Sequence, residues 1–388
     1  MTNVLIAFAD TGGGHRAAAQ AIRDAIQMRG DDVQVAMCDP WAQAAGGPFP
    51  AMRHIYPHVV QHAPWLWAAG FRLTNSTRVV QALQQLAWPL MRRGFMAVAK
   101  AITPDLIVCT HPLLTVPLRH AFPDTPIMVV VTDLVTGHVS WYDHAADITV
   151  VPTIAARDAA IRAGIAESLV HVVGIPVSPA FAAVPGERAS LQASIGWATD
   201  RPTVLLAGGA EGIGPLESLA IAIDRAQLPC DIAIVSGRNH SLARRLRTRR
   251  WQGTVHIYDF VSNFAELTRA ASALITKAGP GTIAEACASG CPMILTSAIA
   301  GQETGNIDFV TQGRAGVWAP SALATTVALH AWLVGRDAPA ALRRAATGAQ
   351  KLARPQAAAE IAALVHAAVA AATDQSTAAT ASRESAAA

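Results

Sequence analysis

Short apolar runs alternate with helical patterns along this chain, and the alternation occurs twice. The first set of runs, rich in β-branched residues, covers residues 4–8, 33–37, 106–109, 127–131 and 148–151. The second set covers residues 204–207, 232–235, 255–258, 273–276 and 293–296. Such runs are typical of parallel strands that have helices on both faces. The pattern therefore predicts an α/β fold with two Rossmann-like, doubly wound sheets.

A break between the two sets marks the domain boundary. Pro176, Pro179, Pro185 and Gly186 cluster where both patterns fail, and we place the linker there. We predict an N-terminal domain at 1–180, a second domain at 181–355, a helix at 356–373 and a tail at 374–388. The tail is rich in Ser, Thr and Ala, so we expect it to be disordered. Because doubly wound sheets bind ligands beyond the carboxyl ends of their strands, the cleft between the domains is the expected site.

Composition limits the cellular setting. No stretch approaches the roughly 18 to 20 apolar residues that cross a bilayer, and the first apolar run has no basic leader before it. The five cysteines are scattered and lack the CxxC spacing of zinc or redox sites. We therefore expect a protein of a reducing compartment that does not span the membrane.

A glycine-rich turn, DTGGGHR at residues 10–16, lies between the first strand and a helical pattern. Three successive glycines allow a ligand to approach the backbone and the free amides of the helix. A tight turn would explain the glycines alone, but it would not explain His15. The positive end of a helix disfavours a charged imidazole, so His15 is a candidate neutral base.

Three further loops have the composition of a nucleotide-sugar site. GGAEGIGP at 208–215 and TKAGPGTIAEA at 276–286 each join a strand to a helix, which suits a diphosphate. Within the second loop, Thr282 could hold phosphate and Glu285 could accept hydrogen bonds from ribose hydroxyls. GQETGN at 301–306 clusters polar side chains that could bind sugar hydroxyls. The alternative is structural, with Glu285 on a helix surface and residues 302–306 as a helix cap.

These stretches, together with SGRN at 236–239, resemble the monogalactosyldiacylglycerol synthase family in the same order along the chain. Processive diacylglycerol glucosyltransferases are close relatives of that family, and MurG is a more distant one. The resemblance implies a GT-B fold and inverting transfer of galactose or glucose from a UDP-sugar to 1,2-diacylglycerol. It also implies that the acceptor binds the first domain, that the donor binds the second, and that no cofactor or metal is needed.

The resemblance assigns roles to individual positions. His15 would be the catalytic base and Asp133 a second catalytic residue. Gly13, Gly14 and Trp141 would bind the acceptor. The UDP-sugar would contact Gly208, Gly209, Gly212, Arg238, Val261, Gly281, Thr282, Glu285, Gln302 and Glu303, with Val261 near uracil and Gln302 and Glu303 near the hexose. His111 is a further candidate cleft residue without a role.

Residues 40–104 contain no Asp or Glu but contain six basic residues and several tryptophans. Basic residues beside aromatic ones favour contact with an anionic bilayer, although much of the apolar content could be ordinary core. We expect Trp65, Trp67, Arg92 and Arg93 to contact anionic membrane lipids, with the protein peripheral on the cytoplasmic face. Nucleic acid is not an expected partner, because by count the second domain shows no matching basic surface.

Several alternatives stay open at this point. His54, His58 and His62 recur every four residues, but Pro57 interrupts them and a zinc site is not expected. The same fold could serve MurG-like transfer to a polyprenyl-linked acceptor, a UDP-sugar 2-epimerase, or a lipid-binding module without catalysis. The sequence does not separate galactose from glucose as the donor hexose.

Overall fold

The computed structural model of the chain describes residues 2–11, 13–30, 32–43, 51–182 and 186–371. Gly12 of the first glycine-rich loop and the predicted tail at 374–388 lie outside these residues. The side chain of His54 lies outside them as well. Within the described part, the chain forms two parallel sheets flanked by helices.

The first sheet has the strand order β2-β1-β3-β4-β5-β6, and each neighbouring pair is parallel. Its strands are β1 (Thr2–Ala7), β2 (Val33–Cys38), β3 (Leu106–Cys109), β4 (Ile127–Val130), β5 (Ile148–Val151) and β6 (Val170–Val172). The chain reverses its direction of winding between β1 and β3. At that point the loops after these two strands diverge and leave a crevice at their carboxyl ends.

The second sheet has the order β12-β11-β10-β7-β8-β9, again with parallel neighbours. Its strands are β7 (Thr203–Ala207), β8 (Asp231–Val235), β9 (Val255–Tyr258), β10 (Ala273–Lys277), β11 (Met293–Ser297) and β12 (Gly316–Trp318). The winding reverses between β7 and β10. The loops that follow these two strands are the glycine-rich stretches at 208–215 and 278–279.

Helices cover both faces of each sheet. In the first domain they are α1 (Gly14–Gln27), α2 (Met52–His62), α3 (Pro64–Thr74), α4 (Thr77–Ala101), α5 (Thr115–Ala121) and α6 (Ile154–Arg162). In the second they are α7 (Arg188–Ser194), α8 (Leu216–Arg225), α9 (His240–Thr248), α10 (Phe264–Ala270), α11 (Pro280–Ala288), α12 (Thr304–Gln312), α13 (Ala322–Leu333) and α14 (Ala338–Leu352). A C-terminal helix follows at residues 357–371.

Two buried clusters form the core of the first domain, one on each face of the sheet. On one face, Leu5, Ile107 and Val129 pack against Phe95 of α4. On the other, Ile22 and Ile26 of α1 pack against the sheet and against the C-terminal helix. This helix contributes Ala357, Ala358, Ile361, Ala362 and Val365. The chain therefore returns to its first domain after completing the second.

The two crossing segments between the domains pack against each other. Gly174 has φ +138°, and a Cβ there would lie 2.7 Å from Cβ of Arg354. Only a glycine allows the outgoing and returning chains to approach this closely. After the outgoing segment, Trp197 donates through Nε1 to the hydroxyl oxygen of Tyr258 in the second domain, at 2.8 Å.

The structure confirms the predicted fold class and all ten strand positions. It adds β6 and β12, which were not predicted because each has three residues at a sheet edge, too few to show a pattern. Among the described residues, no helix has the length and apolarity required to cross a membrane.

Candidate active site

The carboxyl ends of the two sheets face each other across a cleft, and loops from both domains touch there. A Cβ on Gly13 of the first domain would lie 2.9 Å from Cβ of Ala210 in the second. A Cβ on Gly305 of the second domain would overlap Oγ1 of Thr136 in the first. Leu134, which follows β4, is buried within the core cluster of the second domain. The predicted loops of both halves therefore line a single site.

His15 lies in the first turn of α1, and its orientation is fixed by the end of β3. Its Nδ1 is 2.7 Å from the carbonyl oxygen of Thr110 and 3.0 Å from Oγ1 of Thr132. Because a carbonyl only accepts, Nδ1 carries the proton and Nε2 keeps its lone pair. Oγ1 of Thr110 also donates to the backbone carbonyl of His15 at 3.1 Å. The ring therefore presents a basic nitrogen that no described residue occupies.

Burial lowers the pKa of His15 to about 4, although the hydrogen bond to Thr110 acts in the opposite direction. His15 is therefore neutral at pH 7, as the sequence predicted. The prediction attributed this to the amino end of α1, whereas in the structure removal from solvent is the largest cause.

His111, which had no predicted role, packs edge-on against His15 with ring centroids 4.6 Å apart. Its Nδ1 accepts from the amide of Leu113 at 3.3 Å, so its Nε2 carries the proton and lies 3.3 Å from Oγ1 of Thr11. Burial and the neighbouring His15 lower the pKa of His111. The two imidazoles are therefore a neutral pair, and His111 acts as a fixed wall for His15.

Asp133 joins the two domains through hydrogen bonds. Its Oδ2 accepts from Nε1 of Trp141 at 2.7 Å, and its Oδ1 accepts from Nε2 of Gln302 at 3.1 Å. Burial raises the pKa of Asp133 to about 6, against the opposing effect of these two hydrogen bonds. Trp141 has no exposed surface, so it would reach an acceptor only through Asp133 or His15, whose ring is 5.9 Å away.

The loop after β7 needs its glycines for steric reasons. A Cβ on Gly208 would overlap the carbonyl oxygen of Ile213, and one on Gly212 would overlap that of Ser236. Gly209 has φ +72° and open space where a side chain would lie. With no side chain at Gly208, Gly209 and Gly212, this tight loop exposes its backbone to the cleft, as binding of a diphosphate requires.

Arg238 lies beside that loop. Its Nη1 is 2.5 Å from Oε1 of Glu211, and its guanidinium lies 5.1 Å from the ring centroid of Phe260. Arg238 is 45% exposed, so the cation is available to an anionic ligand. Val261 is half-buried against the second-domain core beside Tyr258, next to the exposed Phe260.

Helix α11 points its amino end at the cleft. Gly279 caps it without a side-chain hydrogen bond, and a Cβ on Gly281 would meet no atom within 4 Å. The first-turn amides therefore remain free to bind an anion beside Thr282. One turn further, burial raises the pKa of Glu285 to about 8. The side chain of Glu285 has no hydrogen bond or ion pair with another residue in the part of the chain that the structure describes.

Glu303 and Gln302 are adjacent but differ in environment. Glu303 is 2% exposed, pairs with Lys277, and accepts from the amide of Ile299 at 2.9 Å. Gln302 is half-buried at the domain contact. Lys277 was not predicted as a site residue, although it lies in the quoted motif. The motif at 276–286 contains Lys277 together with the carboxylate of Glu285. In the tertiary fold, however, the lysine pairs with Glu303.

The acid-free segment divides into a buried and an exposed part. Trp65 is 72% exposed, and Arg92 and Arg93 are exposed on α4. Trp67 instead packs against Tyr56, with ring centroids 4.9 Å apart. Exposed apolar side chains continue along the segment at Ile55, Leu66, Leu73, Val79, Leu83, Leu86 and Leu90. The segment therefore presents an apolar and basic surface, to which Trp67 contributes little.

Two other predictions can be placed. The rings of His58 and His62 are 4.4 Å apart on α2, but the structure does not describe the side chain of His54.

The prediction that nucleic acid is not a partner assumed that the second domain has no basic surface. In the structure, α9 of this domain exposes several arginines. Arg245 and Arg247 pair there with Glu217 and Asp259 at 2.8 and 2.5 Å. These carboxylates reduce the charge that α9 offers to a polyanion.

Comparison with family models gives two matches. The model for monogalactosyldiacylglycerol synthase matches residues 15–177. The model for the glycosyltransferase family 28 C-terminal domain matches residues 203–306. The two matches fall on the two domains described above.

Individual plant proteins match across both domains. A probable monogalactosyldiacylglycerol synthase 2 of Oryza sativa subsp. indica is 34% identical over 94% of this chain and 80% of its own length. Monogalactosyldiacylglycerol synthase 3 of Arabidopsis thaliana is 32% identical over the same shares of both chains. A probable monogalactosyldiacylglycerol synthase of Glycine max is 35% identical over 91% of this chain and 69% of its own.

Solved structures with low identity share the fold. Acinetobacter baumannii MurG has a TM-score of 0.60 at 15% identity, covering 94% of this chain and 99% of its own. The UDP-GlcNAc 2-epimerase of Neisseria meningitidis has a TM-score of 0.59 at 11% identity, covering 94% and 99%. The calicheamicin glycosyltransferase CalG4 has a TM-score of 0.60 at 16% identity, covering 95% and 98%. These neighbours confirm the GT-B architecture, and they include both a transferase and an epimerase.

Proposed function

Because this chain belongs to the monogalactosyldiacylglycerol synthase family, we propose that it transfers galactose or glucose from a UDP-sugar to 1,2-diacylglycerol. The product is a monoglycosyldiacylglycerol with an inverted anomeric centre. One observation carries the mechanism: His15 is neutral, its Nδ1 proton is held by Thr110, and its free Nε2 belongs to the acceptor domain. The nucleotide-sugar loops face it from the other domain.

In the proposed reaction, Nε2 of His15 takes the proton of the diacylglycerol hydroxyl. The hydroxyl oxygen forms a bond to the anomeric carbon as the bond from that carbon to the diphosphate oxygen breaks. UDP leaves with both electrons of the broken bond. The imidazolium that forms is stabilised at Nδ1 by the Thr110 carbonyl, 2.7 Å away. A general base of this kind is worth roughly 10²- to 10⁴-fold in rate.

The second domain would stabilise the departing UDP. The first-turn amides of α11, the backbone of the loop at 208–212 and the exposed guanidinium of Arg238 would offer hydrogen bonds and positive charge to the diphosphate. These groups are in place before the reaction, so little reorganisation accompanies the development of charge. We further propose that no metal is required, so transfer should continue in excess EDTA.

The donor hexose would lie between the domains. Gln302, at the contact between them, would bind its hydroxyls, and the ion pair with Lys277 would hold Glu303 in place beside it. Glu285 would bind the ribose. The epimers galactose and glucose differ in one hydroxyl, so the choice between them depends on these few polar groups.

We propose peripheral binding at the cytoplasmic face of a membrane through the exposed part of α2–α4. Trp65 and the exposed leucines would enter the interface while Arg92 and Arg93 meet anionic headgroups. Each basic residue near such a surface is worth about 1 kcal/mol. This contact would place the cleft beside its lipid substrate.

The test uses purified protein, vesicles that contain diacylglycerol, and UDP-galactose or UDP-glucose in separate reactions. Mass and linkage analysis of the lipid should show one added hexose in inverted linkage. Epimerised UDP-sugar in the absence of acceptor would instead establish an isomerase. Transfer to a polyprenyl diphosphate sugar but not to diacylglycerol would establish MurG-like activity, and unconsumed UDP-sugar would leave only lipid binding.

A further inference from the structure

A half-buried tyrosine lies in the lipid-facing segment, the helices α2–α4 proposed above to contact the membrane, and its hydroxyl reaches the donor side of the cleft. Tyr56 lies on α2, with its ring edge-on to Trp67 at 4.9 Å between centroids. Its hydroxyl is 3.5 Å from Oε1 of Gln302 in the second domain. Burial, together with the charges of Glu303 and Asp133, raises the pKa of Tyr56. The phenol therefore stays protonated and donates toward Gln302.

Gln302 is held at both ends of its amide group. Oε1 faces the Tyr56 hydroxyl, and Nε2 donates to Oδ1 of Asp133 at 3.1 Å. If the amide were flipped, its oxygen would face the Asp133 carboxylate, and two acceptors would repel each other. Tyr56 and Asp133 thus fix a single orientation of the Gln302 side chain.

The loop that carries Gln302 also meets the first domain at a second point. It begins after β11 and passes through Gly301, which has φ +84°. A Cβ at Gly301 would lie 3.0 Å from Cδ1 of Phe71 on α3. Two aromatic residues of the lipid-facing segment, Tyr56 and Phe71, therefore pack against this loop from the opposite domain.

We propose that Tyr56 is a positioning residue for the donor hexose, which acts through Gln302 and links the lipid-facing helices to the sugar pocket. This inference rests on the proposed function for the identity of the donor. Trp67 belongs to the same positioning unit as Tyr56, because its ring packs against that of Tyr56. Trp65, two residues earlier and exposed, is not part of this unit.

The decisive experiment measures the affinity of Tyr56→Phe for UDP-galactose and for UDP by calorimetry, without lipid. The substitution removes one oxygen and keeps the ring contact with Trp67. We expect UDP-galactose to bind about three- to tenfold more weakly, as for one lost hydrogen bond. UDP should bind as to the wild type, because it lacks the hexose. Equal affinity of variant and wild type for UDP-galactose would overturn the proposal, and so would equal weakening toward both ligands.

Tyr142→Phe is the matched control. Tyr142 is another tyrosine of the first domain and is buried, but its hydroxyl has no hydrogen-bond partner in the described structure. Loss of that oxygen should leave both affinities unchanged. If Tyr142→Phe weakened UDP-galactose binding as much as Tyr56→Phe does, the loss would be a general effect of removing a tyrosine hydroxyl from the first domain. That result would contradict a specific role for the contact between Tyr56 and Gln302.

A double-mutant cycle tests whether Tyr56 acts through Gln302. The affinity of Tyr56→Phe/Gln302→Ala for UDP-galactose should equal that of Gln302→Ala alone, since the hydroxyl then has no amide to orient. Additive losses would exclude the route through Gln302. Because binding is measured without an acceptor, a wild type that binds UDP-galactose but glycosylates no diacylglycerol would refute the proposed function and leave this comparison intact.

The link to the lipid-facing helices is tested with the two tryptophans. Trp67→Ala should reduce UDP-galactose affinity as Tyr56→Phe does, while Trp65→Ala should leave it unchanged and weaken binding to anionic vesicles. The opposite pattern, with Trp65 affecting the donor and Trp67 only the vesicles, would contradict the proposed unit.

Discussion

Glu285→Gln is expected to stabilise the protein while impairing its nucleotide site. Burial raises the pKa of Glu285 from an ordinary value of 4.5 to about 8, and no described residue pairs with it. At pH 7 the folded protein therefore retains a proton that the unfolded chain has released. A glutamine has nearly the same shape and needs no such proton. The substitution therefore removes the free-energy cost of keeping Glu285 protonated in the folded state.

The sign and size follow from proton linkage. Because the folded pKa lies above the unfolded one, stability is unaffected below about pH 4.5 and decreases as the pH rises toward 8. Each pH unit in that window is worth about 1.4 kcal/mol, which gives roughly 3 kcal/mol at pH 7. Glu285 keeps some solvent exposure, which relieves part of this cost. We therefore expect the glutamine variant to be about 2 kcal/mol more stable at pH 7.

Thermal unfolding of wild type and variant at pH 5, 6, 7 and 8 provides the measurement. The difference in melting temperature should be small at pH 5 and should widen steadily to pH 8. The exposed Glu167, changed to Gln, is the matched control and should show no such widening. At pH 9, where the Glu285 carboxylate is ionised, calorimetry should also show UDP binding weakened by about tenfold, since ribose hydroxyls lose a charge-assisted acceptor. A difference that is absent at pH 7, or does not grow with pH, would refute the reasoning.

Three further outcomes are expected. His15→Ala should lower transfer at least about 100-fold while UDP affinity, measured by calorimetry, stays unchanged; undiminished turnover would reject His15 as the base. Replacing Arg92 and Arg93 by Gln should weaken sedimentation with anionic vesicles by roughly 30-fold and leave the melting temperature unchanged; equal sedimentation would exclude them from the contact. In the wild type, kcat/KM should fall as the pH drops below about 6, where Asp133 takes up a proton and holds Gln302 less firmly. Asp133→Asn should lower kcat/KM at pH 7 and lose that inflection, and an unchanged inflection would assign it elsewhere.

The strand positions and the location of the cleft could be predicted because they depend on local sequence. A buried parallel strand must be apolar on both faces, and β1 and β7 show this without reference to any neighbour. The glycine-rich loops follow directly from those strands. Gly208 and Gly212 have no room for a side chain. Glycine is therefore required at these positions, and the motif can be recognised from the sequence alone.

Contacts between residues distant in sequence could not be predicted in the same way. The acid-free segment suggested one role for Trp65 and Trp67, but helical geometry turned one outward and the other toward Tyr56. The C-terminal helix also gave no sign that it packs on the first domain, since an Ala-rich apolar face fits many surfaces.

The sequence by itself determined which residues could do the chemistry: a histidine after three glycines, carboxylates after glycine-rich loops, and two domains to hold them. The tertiary structure alone decided their states. It placed the carbonyl of Thr110 against Nδ1 of His15 and placed Lys277 against Glu303. It left the side chain of Glu285 without a partner among the described residues. The physical reason is that protonation and hydrogen bonding depend on burial and on the nearest partner, and both are set by chain segments far apart in sequence.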